Sequence, residues 1–109
     1  MYDCAPDTAR ERAGVEEVRS RIQKHTFKKY EPGPVHFHAL DLGSVESARA
    51  SAEALKEKLE RLDILVANAA IVSSSGQLTS DGYDNTFAVN CLGHFVFVNS
   101  LLGTCSLIL

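Results

Sequence analysis

Apolar residues recur along this chain with two periods, and the switches between them predict its elements. Val15, Val18 and Ile22 lie on one face among Arg and Glu, which predicts an amphipathic helix over about residues 8–24. Thr8-Ala9-Arg10-Glu11 opens it as a capping box. Lys28-Lys29-Tyr30-Glu31-Pro32-Gly33-Pro34 breaks it, and Lys24, Lys28 and Lys29 read as its solvated end. In residues 35–42, Val35, Phe37 and Ala39 alternate with His36, His38 and Leu40, which predicts a strand ending at Asp41. Ser44 is the natural N-cap of a second helix running to about Arg61. Its stripe is Val45, Ala48, Ala52, Leu55, Leu59 and Leu62, with Glu57 and Arg61 spaced for an ion pair.

The unbroken run Asp63-Ile64-Leu65-Val66-Ala67 reads as a parallel strand buried on both faces, ended by Asn68-Ala69-Ala70. A polar loop, Ser73-Ser74-Ser75-Gly76-Gln77, precedes a long helix expected from about Asp81 to Leu102. Tyr83, Phe87, Cys91, His94, Val98 and Leu102 line one side of it. Thr104–Leu109 fits either a short strand or a frayed end. Strand, helix and strand in succession place the chain in the α/β class with parallel strands and a crossover connection.

Charge narrows the partners. The net charge of −3 argues against a nucleic-acid binder that works by phosphate neutralisation. All 11 Lys and Arg and 11 of the 14 acids fall in residues 1–61, so the remainder, with only Asp63, Asp81 and Asp84, calls for burial. Asn85–Leu109 is uncharged and long enough for a bilayer. Asn85, Asn90, His94, Asn99, Ser100, Thr104 and Ser106 interrupt it and favour a buried helix over a membrane anchor. Cys4, Cys91 and Cys105 contain no C-x-x-C pair, which argues against a zinc site or disulfide framework. His36 and His38 share a strand face, but no third ligand lies nearby in sequence, so no metal is expected. With no secretory leader and no N-x-S/T acceptor, the expected location is cytoplasmic.

In open parallel sheets ligands bind beyond the carboxyl ends of the strands. That rule selects Asp41-Leu42 and Asn68-Ala69-Ala70: a carboxylate able to accept from a nucleotide amine or hydroxyl, and small residues that let a ligand approach the backbone. Asp and Asn at such places also cap turns and helices, so the pattern alone leaves both readings open.

From Asp41-Leu42 through Asp63-Ile64-Leu65-Val66-Ala67-Asn68-Ala69-Ala70, Thr79-x-Asp81-Gly82-Tyr83 and Phe87-x-Val89-Asn90-x-Leu92-Gly93-His94-Phe95, the chain resembles the short-chain dehydrogenase/reductase family. The wording is closest to its retinol-dehydrogenase-like and WW-domain-oxidoreductase-like branch. The resemblance covers about residues 35–103 well and 8–24 loosely, and it implies that residues 1–109 are a partial Rossmann-type, doubly wound domain. It implies NAD or NADP as cofactor and an alcohol or carbonyl substrate. Asp41 would bond the adenine amine with the Leu42 backbone beside it, and Asn68, Ala69 and Ala70 would line the cofactor. Asn90 would be the catalytic-site asparagine that holds a water of the proton relay, with an interior helix Asn bonding a neighbouring carbonyl as the alternative. Where the family has Asn-Asn-Ala-Gly, this chain has Ala67-Asn68-Ala69-Ala70.

Other family parts are missing. None of the seven glycines forms the phosphate-cradling Thr-Gly-x-x-x-Gly-x-Gly turn, and Tyr2, Tyr30 and Tyr83 lack a Lys four residues on. In the 3-2-1-4-5-6 order, residues 35–42 would be strand 3 and 63–69 strand 4, with at most a stub of strand 2 and no strand 1 between them. The two retained strands would then face an empty slot or pair with each other. The expectation is a fragment lacking the first strand and the C-terminal half, inactive alone, or an interaction module packing on a full-length relative through the 81–102 helix. That helix is also where an oligomer would form.

Overall fold

The computed structural model describes residues 1–6, 8–25, 33–73 and 76–102. Its contacts divide into two compact units, Met1–Leu40 and Asp41–Leu109.

In the first unit, β1 (Tyr2–Ala5) pairs in parallel with β2 (His36–Ala39), with Tyr2 opposite His36 and Ala5 opposite Ala39. The helix α1 (Ala9–His25) joins them. Thr8 caps it as the sequence predicts, its Oγ1 accepting from the Glu11 N–H at 3.2 Å. Val15 and Val35 are buried, and the Arg12 guanidinium lies 4.9 Å from the centre of the Phe37 ring. The parallel β-α-β unit is therefore built one element earlier than expected, from the N-terminal stub and the 35–42 strand. His38 is buried, and the rings of His36 and His38 lie 5.2 and 6.3 Å from that of Tyr2. Cys4 sits on β1, where burial and the Asp3 charge push its thiol up to about 11.

The second unit packs two helical segments. The helix α2 (Val45–Lys56) is capped by Ser44, whose side chain accepts from the Ser47 N–H. It ends at Lys56, earlier than Arg61. After Leu55, its last buried residue, the bonds tighten to three-residue turns, from the Lys58 N–H to the Leu55 carbonyl and from the Leu59 N–H to the Lys56 carbonyl. Arg61 pairs with Asp63 at 3.0 Å and not with Glu57.

A turn at Thr79–Tyr83, with Gly82 at φ +83°, leads into a continuous helical stretch. It comprises α3 (Asn85–Phe87), the π-helical segment Ala88–Gly93 and α4 (His94–Leu101). Asp84 caps it, accepting from the Phe87 N–H at 2.9 Å, so it starts four residues later than Asp81. Its buried positions are Ala88, Gly93, Phe97 and Leu101, the first two separated by five. The π turn shifts the phase of the helix. Tyr83, Phe87 and Leu102, three of the residues expected along one side of the helix, are 45, 51 and 47 % exposed. The core of this unit is Leu42, Ala48, Ala52, Leu55, Ala88, Phe97 and Leu101.

The largest correction concerns residues 63–67. They form no strand, and Ile64 and Val66 are 79 and 76 % exposed. From Arg61 to Ser73 the chain runs without turn or bend. Among the described residues its backbone joins no ladder, and a strand exists only as part of a ladder. Neither β1 nor β2 pairs with it. The Lys28–Pro32 break, Ser74-Ser75 and the Thr104–Leu109 tail lie outside the described residues. No described helix is long and apolar enough to cross a membrane.

Candidate functional site

All six predicted site residues belong to the second unit. Asp41 is exposed and Leu42 buried, so the turn offers a carboxylate outward and anchors itself inward. The Asp41 Oδ1 accepts from the Gly43 N–H at 2.8 Å, closing a local turn, and its Oδ2 makes no hydrogen bond among the described residues. The Asp41 N–H donates to Ser47 Oγ at 3.3 Å. Asp81 completes the arrangement: its Oδ2 accepts from the Val45 N–H at 2.8 Å, placing a carboxylate on the first turn of α2.

Asn68, Ala69 and Ala70 are exposed. Among the described residues only glycines have a positive φ, so the methyl that Ala70 carries in place of the family's glycine meets ordinary backbone. Their anchor lies on the helical stretch. His94 Nε2 lies 2.7 Å from the Ala69 carbonyl oxygen, to which it donates. The Asn90 side chain binds Ile71 with both ends, accepting from its N–H and donating to its carbonyl, each at 2.8 Å.

The two candidate segments meet the helix at adjacent residues. Gly93 packs against the backbone of Leu42, so closely that a Cβ there would lie 2.2 Å from the Leu42 carbonyl oxygen. The next residue, His94, holds Ala69. Gly93, His94 and Thr86 were not among the predicted site residues. The four-residue spacing of Thr86, Asn90 and His94 is the sequence feature that marks two of them. Among the described residues no three His, Cys, Asp or Glu side chains gather as a metal site would require.

Residues 5–105 match the model of the short chain dehydrogenase family. Retinol dehydrogenase 14 of Homo sapiens is 35 % identical over 103 residues, covering 86 % of this chain and 31 % of that protein. The WW domain-containing oxidoreductase of Gallus gallus is 47 % identical over 75 residues, covering 69 % of this chain and 18 % of its own. Among solved structures, the Pseudomonas aeruginosa RhlG/NADP active-site complex aligns with a TM-score of 0.62 at 27 % identity, over 94 % of this chain and 37 % of that one. The chain spans well under half the length of each of these proteins. With the family match running through both candidate segments and the helix that seats them, this chain belongs to the short-chain dehydrogenase family.

Proposed function

We propose that this chain carries the adenosine-side part of a nicotinamide-dependent oxidoreductase that moves hydride between NAD or NADP and an alcohol or carbonyl carbon. The observation that carries this reading is the seating of the Asp41-Leu42 turn and the Asn68–Ala70 segment on adjacent helix residues, Gly93 and His94. Asp41 keeps one carboxylate oxygen free to accept from an adenine amine. Asn68–Ala70 expose a backbone with small side chains against which a ring can lie. Asn90 serves the site through the Ile71 backbone that it holds.

The same residues set a limit. The 109 residues contain no glycine-rich turn for the diphosphate and no Tyr-x-x-x-Lys pair to move the proton. The chain alone therefore binds dinucleotide weakly and does not turn over. Titration with NADH and NADPH, followed by fluorescence and absorbance, tests both statements. Weak binding that Asp41→Ala lowers further, without oxidation of cofactor, is expected. Sustained substrate-dependent oxidation by the chain alone overturns the inactive reading, and no binding at millimolar cofactor overturns the adenosine site.

A second reading has its own support. Phe87 and Phe95 are 51 and 66 % exposed eight residues apart on the helical stretch, with Cys91 exposed between them. Such a face suits packing on a full-length relative or a second copy. Co-elution with a relative, lost in Phe95→Glu, is the expected result; a monodisperse monomer that ignores the relative removes this reading.

A further inference from the structure

We infer that Thr86, Asn90 and His94 act as one unit, a side-chain ladder that fixes the register of Ala69–Ser73 and so positions the Asn68–Ala70 backbone. That positioning role rests on the dinucleotide reading above; the ladder itself does not. Thr86 Oγ1 accepts from the Ser73 N–H and donates to the Ser73 carbonyl, both at 3.3 Å. Asn90 makes the same two-way contact with Ile71, and His94 reaches the Ala69 carbonyl. Three residues at four-residue intervals on a helix therefore address residues 73, 71 and 69 in turn, every second residue of a straight backbone.

This pattern imitates a neighbouring strand. In an antiparallel ladder, residues that bond directly exchange N–H and C=O at every second position. An Asn amide carries the same donor and acceptor as a peptide group, and a Thr hydroxyl both donates and accepts. The spacings also agree, since four helical residues rise about 6 Å and two extended residues about 6.6 Å. A regular α-helix would still spoil the match, because every fourth residue drifts about 40° around its axis. The π-helical segment Ala88–Gly93 lies between Thr86 and His94, and its wider turn removes drift of that sense. The three side chains are thereby brought toward one line, as a straight partner requires.

The ladder ends at Ala69. From Leu62 to Asn68 the backbone makes no hydrogen bond among the described residues. The candidate cofactor-lining residues stand where the clamped part of the segment gives way to the unclamped part, so the clamp decides where their backbone lies.

Amide exchange on the full chain, resolved by NMR, tests the ladder without any cofactor. Thr86→Val removes the hydroxyl at nearly constant volume, and Thr86→Ser restores it. If the ladder is one unit, Thr86→Val speeds exchange at Ile71, whose own Asn90 partner is untouched, by about fivefold, the effect of losing one ordinary hydrogen bond. Thr86→Ser returns it to the native rate, and α2 amides do not change. Acceleration at Ser73 alone, or at neither amide, overturns the ladder. NADPH titration of the same variants is a separate arm. Affinity that falls in Thr86→Val and recovers in Thr86→Ser supports positioning, and unchanged affinity overturns it. Absence of NADPH binding by the native chain overturns the dinucleotide reading and with it the positioning role, while the exchange data continue to decide the ladder.

Discussion

Gly93→Ala is the sharpest single test of how the second unit is assembled. A Cβ at residue 93 would sit 2.2 Å from the Leu42 carbonyl oxygen and 2.9 Å from its carbonyl carbon and Cα. A carbon–oxygen contact settles at about 3.3 Å or more, so the overlap is about 1 Å. No side-chain rotation relieves it, because both partners are backbone. The helical stretch must move away from the Asp41–Gly43 turn, and α2 packs against α4 through Ala48, Ala52, Leu55, Phe97 and Leu101, each 4 % exposed or less. A gap of up to 1 Å forfeits a quarter to a half of the dispersion energy at each contact. Overpacking of this kind costs about 1–3 kcal/mol, and the lost contacts add to it. Helix propensity works the other way, since alanine gains about 1 kcal/mol over glycine. The net expectation is a destabilisation of about 2–3 kcal/mol. Gly14→Ala supplies the control: it lies inside α1 and its Cβ would meet nothing within 4 Å, so propensity acts alone and stabilises. Urea denaturation followed by far-UV circular dichroism reads both. A Gly93→Ala midpoint at or above the native one would refute the close-approach account.

Three further outcomes follow from the same geometry. Ser44→Ala removes the α2 cap and costs about 1 kcal/mol in the same urea assay; an unchanged midpoint would mean that Asp81 suffices. Cys4, held near 11 against an ordinary 9.0, remains a thiol in the folded chain at pH values where the unfolded chain ionises. Its contribution to stability is therefore full below pH 9 and lost as pH rises from 9 through 11, and Cys4→Ser should flatten that part of the stability–pH curve. Val66→Lys adds a charge to the uncharged run at a position that is 76 % exposed. It should change stability by no more than about 0.5 kcal/mol, while light scattering shows less self-association, as expected when a gatekeeper interrupts an open strand edge; equal scattering would count against Ile64–Ala67 as the sticky segment.

What the sequence determined by itself is local. Thr8 and Ser44 start helices because a side-chain oxygen three residues before an orphan N–H is a short-range fact, and the α2 stripe names its own buried face through Ala48, Ala52 and Leu55. Asp41 and Asn68–Ala70 could likewise be marked, since each follows a legible run. Tertiary structure decided the rest. Ile64-Leu65-Val66 has the composition of a central strand and is none, because pairing depends on a neighbour that no local pattern supplies. The buried side of residues 85–101 depended on a π turn that one helical period cannot foresee, and that turn sets Gly93 against Leu42 and His94 against Ala69. Caps and amphipathic stripes act over a few residues, whereas ladders and close backbone approaches require distant segments already in place.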